Sequence, residues 1–311
     1  NLSTGKEPVP DQRPGEWAYI KKTYPYYKAD ADVYIKAIEQ AKKLKAETLS
    51  KRLSKGLQAV QWQFAGPTNV GGRVVDIEFD PTNPSIVYAG FSTGGIFKSF
   101  DAGNTWQPIF DEQAVLTIGD IAVDPNNSDI IYVGTGEANG GHNNFPGGGV
   151  FKSTDAGSTW NFLGLEGTTS IGRIVINPQN SNVLYLASVG SYFAPNPERG
   201  IYKSTDAGLT WDHSLFISDT TGAVDIIIDP NNPERLLIST WERVRRPNSS
   251  HLFGPTSGIY KTTNGGTNWT KITNSTLPNP NNTNVGRVGL AIHENDPNII
   301  YRSEEHTSEL Q

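Results

Sequence analysis

Short apolar runs separated by polar turns dominate the chain from about residue 61 onward. In "VVDIEFDPTNPSIVYAG", which begins at Val74, one apolar run ends at an Asp-Pro turn and a second run follows it. The same arrangement returns from Ile118, Ile171 and Ala223, and a further copy begins at Val285. Apolar runs bounded by Asn, Asp, Pro and Gly in this way are typical of β-strands. The pattern therefore predicts a repeated pair of strands.

Each copy continues with a loop, a third short strand such as "GIYKS", and a polar turn that leads at a Trp into a fourth strand. Four strands in about 40 to 60 residues is the period of a β-propeller blade. We therefore predict an all-β fold over residues 61–301, a β-propeller with about four complete four-stranded blades and parts of two. Trp62 has the spacing of an outermost strand, so we expect "WQFAG" at 62–66 to complete the last blade.

Two segments outside the repeats have different patterns. Residues 1–60 form an N-terminal arm, in which the helical spacing of apolar residues predicts one helix from Asp30 to about Lys55. Residues 302–311 break the strand pattern and resemble a translated sequencing-library adapter. We expect this tail to be an artefact, the alternative being a genuine polar helix or linker.

The polar turn before each fourth strand has the form Ser/Thr-x-Asp-x-Gly-x-Thr-Trp, complete in three copies and degenerate in a fourth. An Asp carboxylate can accept hydrogen bonds from backbone N–H groups of the turn, Gly allows a positive φ, and Trp can fill the gap between blades. Because an active site is needed once, repetition indicates a structural role. The box residues are Ser99, Asp101, Gly103, Trp106, Ser153, Asp155, Gly157, Trp160, Ser204, Asp206, Gly208, Trp211, Asn264, Gly266 and Trp269.

These turns resemble the Asp boxes (BNR repeats) of the sialidase, xyloglucanase and sortilin-like propellers. The resemblance covers residues 62–301. Over this range the chain looks most like secreted bacterial glycosyl-hydrolase-like proteins. It implies a secreted or cell-surface protein of bacterial origin that binds glycan on the face opposite the boxes, with hydrolysis left open. The alternative it implies is a non-catalytic sortilin-like scaffold or receptor that binds protein or peptide.

The resemblance to sialidases ends at the boxes, because the Phe-Arg-Ile-Pro signature is absent. In xyloglucanases an Asp precedes the paired glycines of the first blade, whereas this chain has Ser92 at the expected position, in "FSTGG". A serine cannot act as the general base of an inverting pair of carboxylates. Catalytic residues therefore stay unknown, and hydrolysis is uncertain.

Insertions between second and third strands point to the binding face. Blades 2, 3 and 4 carry long loops there, and loops on a rigid scaffold commonly hold binding sites. Their aromatic rings could stack on sugars, and their arginines could pair with anionic groups. Alternatively, the rings hold their own loops and the charges pair with one another. The candidate ligand-binding residues are Glu137, His142, Tyr192, Arg199, Trp241, Arg243 and Arg246, and Glu137 and Glu242 are weak catalytic candidates.

A second set of charged residues recurs four positions before each Asp/Asn-Pro turn, near the start of the innermost strand. Asp76, Asp120 and Asp225 occupy this position in three copies, Arg173 in another, and Gly289 in the last. They should ring the mouth of the central channel. The three aspartates could form an acid/base or cation site, or they could be ion pairs that satisfy the channel lining, which is the interpretation we favour.

Composition excludes several functions. A net charge of -6 argues against a general nucleic-acid binder, and no apolar run is long enough to span a membrane. The chain has no Cys, which excludes disulfides and thiolate chemistry. No phosphate-binding loop and no His pair at zinc spacing is present, so we expect no cofactor and no metal. No signal peptide is visible in this sequence.

Overall fold

The described residues form antiparallel meanders and one α-helix. The computed structural model describes residues 31–54, 72–140, 144–245, 252–273 and 285–304. Helix α1 spans Ala31–Ser54, and its predicted limits differ by one residue at each end. Residues 62–66, expected to complete the last blade, lie outside the described residues.

Within the described residues, four complete four-stranded sheets and one two-stranded sheet follow one another, and they confirm the predicted propeller fold. We call them blades 1 to 5. The described part of blade 5 extends to Glu304, and the first three residues of the tail at 302–311 pair with the first strand of that blade. The strands are β1 Val74–Phe79, β2 Val87–Phe91, β3 Gly95–Ser99 and β4 Gln107–Pro108; β5 Ile118–Val123, β6 Ile131–Thr135, β7 Val150–Ser153 and β8 Asn161–Phe162; β9 Ile171–Ile176, β10 Leu184–Ser188, β11 Gly200–Ser204 and β12 Asp212–Leu215; β13 Thr221–Ile228, β14 Leu236–Glu242, β15 Gly258–Thr262 and β16 Thr270–Lys271; and β17 Val288–Ile292 with β18 Ile300–Glu304.

The hydrophobic core lies between successive blades. Ile118 and Ile121 of β5 pack against Tyr88 and Ile96 of blade 1, and equivalent clusters fill the next three junctions. A sheet must bury its apolar faces, and here each inner blade buries one face against the blade before it and the other against the blade after it. This explains why the second strands of blades 2 and 3 are buried on both faces.

The innermost strands approach one another too closely for a side chain. A Cβ placed on Gly119 would lie 2.1 Å from the carbonyl oxygen of Ile171, and one on Gly172 would lie 2.1 Å from the carbonyl oxygen of Val224. A Cβ atom at that distance would force the backbone apart. The glycines therefore allow tight packing around the central channel.

The box turns are closed by their aspartates. In blade 2, Asp155 Oδ1 accepts hydrogen bonds from Ser153 Oγ and from the backbone N–H of Thr159, both at 2.7 Å. Its Oδ2 accepts from Thr159 Oγ1 at 2.6 Å. Gly157 has a φ of +91°, and Ala156 also has a positive φ, of 56°. The carboxylate thus holds a backbone conformation that is costly for Ala.

The box tryptophans join neighbouring blades. Trp160 donates from Nε1 to the carbonyl of Ile109 in the preceding blade at 2.8 Å, and Trp211 donates to Leu163 at 3.2 Å. Trp269 donates to Ser214 Oγ at 3.0 Å. Each of these three rings therefore fixes a fourth strand against the blade before it, whereas Trp106 donates to the carbonyl of Gly103 in its own turn at 2.9 Å.

A second contact between blades repeats along the array, and we call it the blade latch. Tyr132 Oη and Lys152 Nζ both donate to the carbonyl oxygen of Ala207, the residue after the box Asp of the next blade, at 3.1 and 3.3 Å. The Lys152 ammonium lies 5.1 Å from the centre of the Tyr132 ring, and burial lowers the pKa of this lysine. The latch recurs with Lys98 on Ala156, and with Tyr185 and Lys203 on Gly265.

Turns and loops separate onto two faces of the propeller. The box turn lies beside the Asp-Pro turn, because Ala156 N–H donates to the carbonyl of Asp129 at 2.9 Å. On the opposite side, the loops between second and third strands contact the links between blades. For example, Arg243 N–H donates to the carbonyl of Thr220 at 2.9 Å. We call these sides the box face and the loop face.

Candidate functional site

The structure brings the candidates of three loops together on the loop face. Glu137 lies in the blade-2 loop, and Tyr192 and Arg199 lie in the blade-3 loop. Trp241 lies near the end of β14, and Arg243 directly follows that strand at the start of the blade-4 loop. Two other candidates, His142 and Arg246, lie outside the described residues.

Trp241 packs inside this group of loops. It is 4% exposed, and its Nε1 donates to the carbonyl of Leu252 at 2.7 Å. The Tyr192 ring lies edge-on with centroids 6.1 Å apart, and the Arg243 guanidinium stands 5.2 Å from the indole centre. A ring covered in this way presents little face to a sugar. The contacts favour the interpretation that Trp241 holds the loops together.

Tyr192 connects the blade-3 loop to the blade-2 loop. It is 3% exposed, and its hydroxyl donates to the carbonyl of Ala138 at 2.6 Å. Burial raises the pKa of Tyr192 to about 12, so the phenol is neutral at physiological pH and stays a donor.

Arg199 is fully buried and binds main-chain carbonyls. Its Nη1 donates to Thr220 O at 3.0 Å, and its Nη2 donates to Arg243 O at 3.0 Å and to Ser191 O. Burial lowers the pKa of Arg199 to about 10. Because the guanidinium is enclosed, Arg199 acts on the site by positioning the blade-3 and blade-4 loops around it.

Glu137 is buried below an arginine that the sequence analysis did not single out. Its Oε2 lies 2.5 Å from Nη2 of Arg73, whose side chain is 50% exposed. Arg73 directly precedes β1, at the mouth of the channel. Its position just before an innermost strand was the only signal for it in the sequence, since it belongs to no box and no long loop.

Blade 5 contributes a second missed arginine. Nη1 of Arg287, which directly precedes β17, donates to Asn139 Oδ1 of the blade-2 loop at 2.8 Å. Arg287 and Arg73 thus approach the same short segment from blades that are far apart in the sequence.

Glu242 is bonded within the blade-4 loop. Its Oε2 accepts a hydrogen bond from Thr256 Oγ1 at 2.5 Å, and Gly254 packs so closely that a Cβ there would lie 2.0 Å from the same oxygen. These contacts close the blade-4 loop on itself. They give Glu242 a local structural role in the described part of that loop.

The channel aspartates bind the next blade's backbone. Oδ2 of Asp76 accepts from Ile121 N–H at 2.7 Å, Oδ2 of Asp120 accepts from Ile174 N–H at 2.7 Å, and Oδ2 of Asp225 accepts from Leu290 N–H at 2.8 Å. A carboxylate at the same strand position thus joins successive innermost strands. This geometry accounts for the three residues without a catalytic role.

Arg173 replaces the aspartate in blade 3 and pairs with its neighbours. Its Nε lies 3.1 Å from Asp225 Oδ1, and its Nη1 lies 3.3 Å from Asp120 Oδ1. In the pattern of the other blades, an aspartate at position 173 would accept a hydrogen bond from Ile226 N–H. Asp225 Oδ1 accepts from this N–H instead, at 2.9 Å. Burial raises the pKa of Asp120 well above its usual value, although Arg173 opposes the shift.

Glu78, which the sequence analysis also missed, shares the channel. Burial, with a smaller contribution from the charge of Asp76, raises the pKa of Glu78 to about 7. Glu78 is not at the repeated position, so the comparison of copies gave no reason to select it. Among the described residues, no group of His, Asp and Glu is arranged to hold a metal ion.

Comparisons with known proteins agree with this architecture. The family model described as "Sortilin, neurotensin receptor 3" (Sortilin-Vps10) matches residues 148–310, just over half of the chain. The chain belongs to the Sortilin-Vps10 family. This confirms the resemblance to sortilin-like Asp-box propellers.

Curated relatives of this Sortilin-Vps10 chain include xyloglucanases. The xyloglucanase of Hypocrea jecorina is 25% identical over 243 residues, which cover 69% of this chain and 28% of that enzyme. Xyloglucanase Xgh74A of Acetivibrio thermocellus is 25% identical over 233 residues, covering 64% of this chain and 25% of that enzyme. The chain therefore spans about a quarter of the length of these relatives.

Solved structures show the same fold. An ancestral GH74 enzyme is 22% identical with a TM-score of 0.61, over 81% of this chain and 30% of that one. The Niastella koreensis GH74 enzyme is 25% identical with a TM-score of 0.53, over 73% of this chain and 33% of that one.

In this Sortilin-Vps10 propeller, Ser92 is 7% exposed and its N–H donates to Arg73 O at 3.1 Å, beside the ion pair of Arg73 and Glu137. No helix among the described residues is long and apolar enough to cross a membrane.

Proposed function

We propose that this propeller is an extracytoplasmic protein that binds glycan on its loop face. The observation that carries the proposal is its similarity to xyloglucanases across about two thirds of the chain, combined with long loops gathered on one face. Glycan binding fits a rigid propeller, because the blades fix the loops and the loops supply the contacts.

Among the described residues of the loop face, Phe145 is the large exposed aromatic side chain that could stack on a sugar. It is 47% exposed and follows Asn144, whose Nδ2 donates to the carbonyl of Glu137 at 3.0 Å. The half-exposed Arg73 pairs with the Glu137 carboxylate, so a polar donor and the residue next to an exposed aromatic ring both bind Glu137. A sugar needs this combination, since its C–H face stacks on a ring and its hydroxyls take hydrogen bonds.

The loop carboxylates support binding more than hydrolysis. Glu137 is fully buried against Arg73, and Glu242 is bonded to Thr256. Ser92 stands where xyloglucanases are expected to carry an acid. A glycosidase needs two carboxyl groups on either side of the scissile bond, one of which donates a proton. The proposal is therefore binding, with release of reducing sugar from xyloglucan as the measurement that would add hydrolysis.

The test is a binding measurement on the purified chain with xyloglucan and with unrelated neutral and acidic polysaccharides. Phe145→Ala should weaken binding by more than tenfold, or about 1.4 kcal/mol. Phe100→Ala is the matched control, because Phe100 is 55% exposed on a box turn at the opposite face. Binding that is lost equally in both variants, or absent for every polysaccharide, would contradict the proposal.

A second candidate function is recognition of protein or peptide, which the name of the matched family model favours. The same chain, probed with a peptide library in place of polysaccharides, separates the two candidates. Peptide binding that depends on Phe145, with no polysaccharide bound, would replace the glycan proposal by the receptor one.

A further inference from the structure

Four consecutive residues of the blade-2 loop, Glu137–Gly140, each contact a different blade. The Glu137 carboxylate pairs with Arg73, which leads into the innermost strand of blade 1. The next carbonyl, that of Ala138, accepts a hydrogen bond from the Tyr192 hydroxyl of blade 3 at 2.6 Å.

The second half of the segment reaches the far side of the array. Asn139 Oδ1 accepts from Arg287 of blade 5 at 2.8 Å. The Gly140 carbonyl accepts from Nη1 of Arg245 in blade 4 at 3.3 Å, and the Trp241 ring lies so close that a Cβ on Gly140 would be 2.8 Å from it.

Several of these partners lie beside the innermost strands that line the central channel. Arg73 and Arg287 immediately precede innermost strands, and the Ala138 side chain packs with Val224 of the innermost strand β13. The side chains of Arg73 and Arg287 reach from blades 1 and 5 to this segment of blade 2, so the segment extends over the ends of the innermost strands. Residues 137–140 therefore lie over the channel mouth on the loop face.

We propose that Glu137–Gly140 is a plug that closes the central channel on the loop face and can leave the mouth while the blades stay folded. The plug is held by an ion pair and several hydrogen bonds, and it buries one small apolar side chain, that of Ala138. The blades are held by strand ladders and by the cores between them. Segments with few buried apolar contacts open at lower free energy than the core.

Glycines at both ends favour movement of the plug as a unit. Gly136 and Gly140 have φ values of 87° and 69°. The base of the loop is tight, since Gly136 N–H donates to Thr117 O at 2.8 Å and Gly147 N–H donates to Thr169 O at 2.6 Å. The hinge would thus lie just above a fixed base, and opening would expose the carboxylates of the channel to solutes on the loop face.

Thiol labelling tests the plug, because the natural chain contains no Cys. Ala138→Cys places a thiol on the plug, and Ala187→Cys places one in the core of blade 3; the two alanines are 4% and 0% exposed. With iodoacetamide in native buffer, the plug thiol should react more than about tenfold faster than the core thiol, whose labelling follows opening of the blade.

A second substitution tests what holds the plug shut. Asn139→Ala removes the contact with Arg287 and should speed labelling at position 138 while leaving position 187 unchanged. Asn126→Ala is the matched control, since Asn126 Nδ2 donates to Pro178 O of the next blade at 3.0 Å, beside the Asp-Pro turns of the box face; it should change neither rate.

Hydrogen exchange of the unsubstituted chain provides the measurement that depends on no variant. Amides of residues 137–140 should exchange faster than those of β10 under native conditions. Equal thiol reactivity at positions 138 and 187, equal protection of the two amide groups, or indifference of position 138 to Asn139→Ala would each overturn the plug.

Discussion

Replacing Arg173 by Met should destabilise the propeller, and more at high pH than at low pH. The guanidinium of Arg173 lies between the carboxylates of Asp120 and Asp225, at 3.3 and 3.1 Å. The Asp120 side chain is 3% exposed, so a methionine at position 173 leaves a buried carboxylate without its counterion. Met has a similar length, which limits the change in packing.

The expected loss follows from the burial of the pair. Removing one partner of a fully buried ion pair costs about 3–5 kcal/mol. The Arg173 side chain is 38% exposed, so solvent screens part of the interaction, and we expect about 2–3 kcal/mol at about pH 8.

The pH dependence has a definite sign. Burial raises the pKa of Asp120 in the folded protein, and losing Arg173 would raise it further. A carboxyl with a higher pKa when folded than when unfolded binds its proton more tightly in the folded state. Stability therefore increases as the pH falls through the folded pKa, and the gain is complete near the unfolded value of about 3.9. The deficit of Arg173→Met should shrink between about pH 8 and about pH 5.

Urea unfolding, followed by tryptophan fluorescence at both pH values, measures the effect. The double variant Asp120→Asn/Arg173→Met should recover most of the loss, because the isolated charge is gone. Arg235→Met is a comparison variant that removes an ion pair beside the Asp-Pro turn of blade 4, where Arg235 Nε lies 2.9 Å from Asp229 Oδ2. A variant Arg173→Met as stable as the natural chain at high pH, or a deficit independent of pH, would refute the reasoning.

Three further predictions concern single residues. Asp155→Asn should lower the melting temperature and leave glycan binding unchanged. Hydrogen bonds from Thr159 and Ser153 lower the pKa of Asp155 to about 2. The contribution of the Asp155 carboxylate to stability should therefore be lost as the pH falls from about 4 to about 2. If the Trp241 ring holds the loops, Trp241→Ala should lower the free energy of unfolding in urea by about 3–5 kcal/mol, and Trp241→Phe should lower it by about 1 kcal/mol. Two variants as stable as the natural chain would contradict that role. Glu78, whose pKa burial raises to about 7 from 4.5, should make stability rise as the pH falls between these values, and Glu78→Gln should flatten this part of the profile.

Much of the fold could be predicted from the sequence because the repeats carry it. The spacing between each Asp-Pro turn and the following strand predicted four-stranded blades, and the structure has them. The box motif predicted a closed turn with a positive φ at Gly, although the positive φ at the preceding Ala was not expected. Local hydrogen bonding determines these features, so a short motif is enough to predict them.

The candidate site could be predicted only in part, because burial depends on neighbours distant in the sequence. The loops of Tyr192 and Trp241 do meet on one face, as expected from the meander. Whether a ring stacks on ligand or on another loop depends on the blade beside it, and Arg199 is enclosed for the same reason. Arg73 and Arg287 were missed because nothing in their local sequence shows that both reach the blade-2 loop.

The blade latch makes the array directional. In the junction of blades 2 and 3, the donors Tyr132 and Lys152 belong to one blade and the acceptor carbonyl of Ala207 belongs to the next, and the same polarity holds at the following junction. Each unit thus carries a connector of one kind on one side and its complement on the other. A blade duplicated in frame would have the donors for the blade after it and the acceptor for the blade before it. Gene duplication can therefore change the number of blades without requiring a new interface. Because the latch lies at the box turns, loops on the other face are free to diverge from copy to copy.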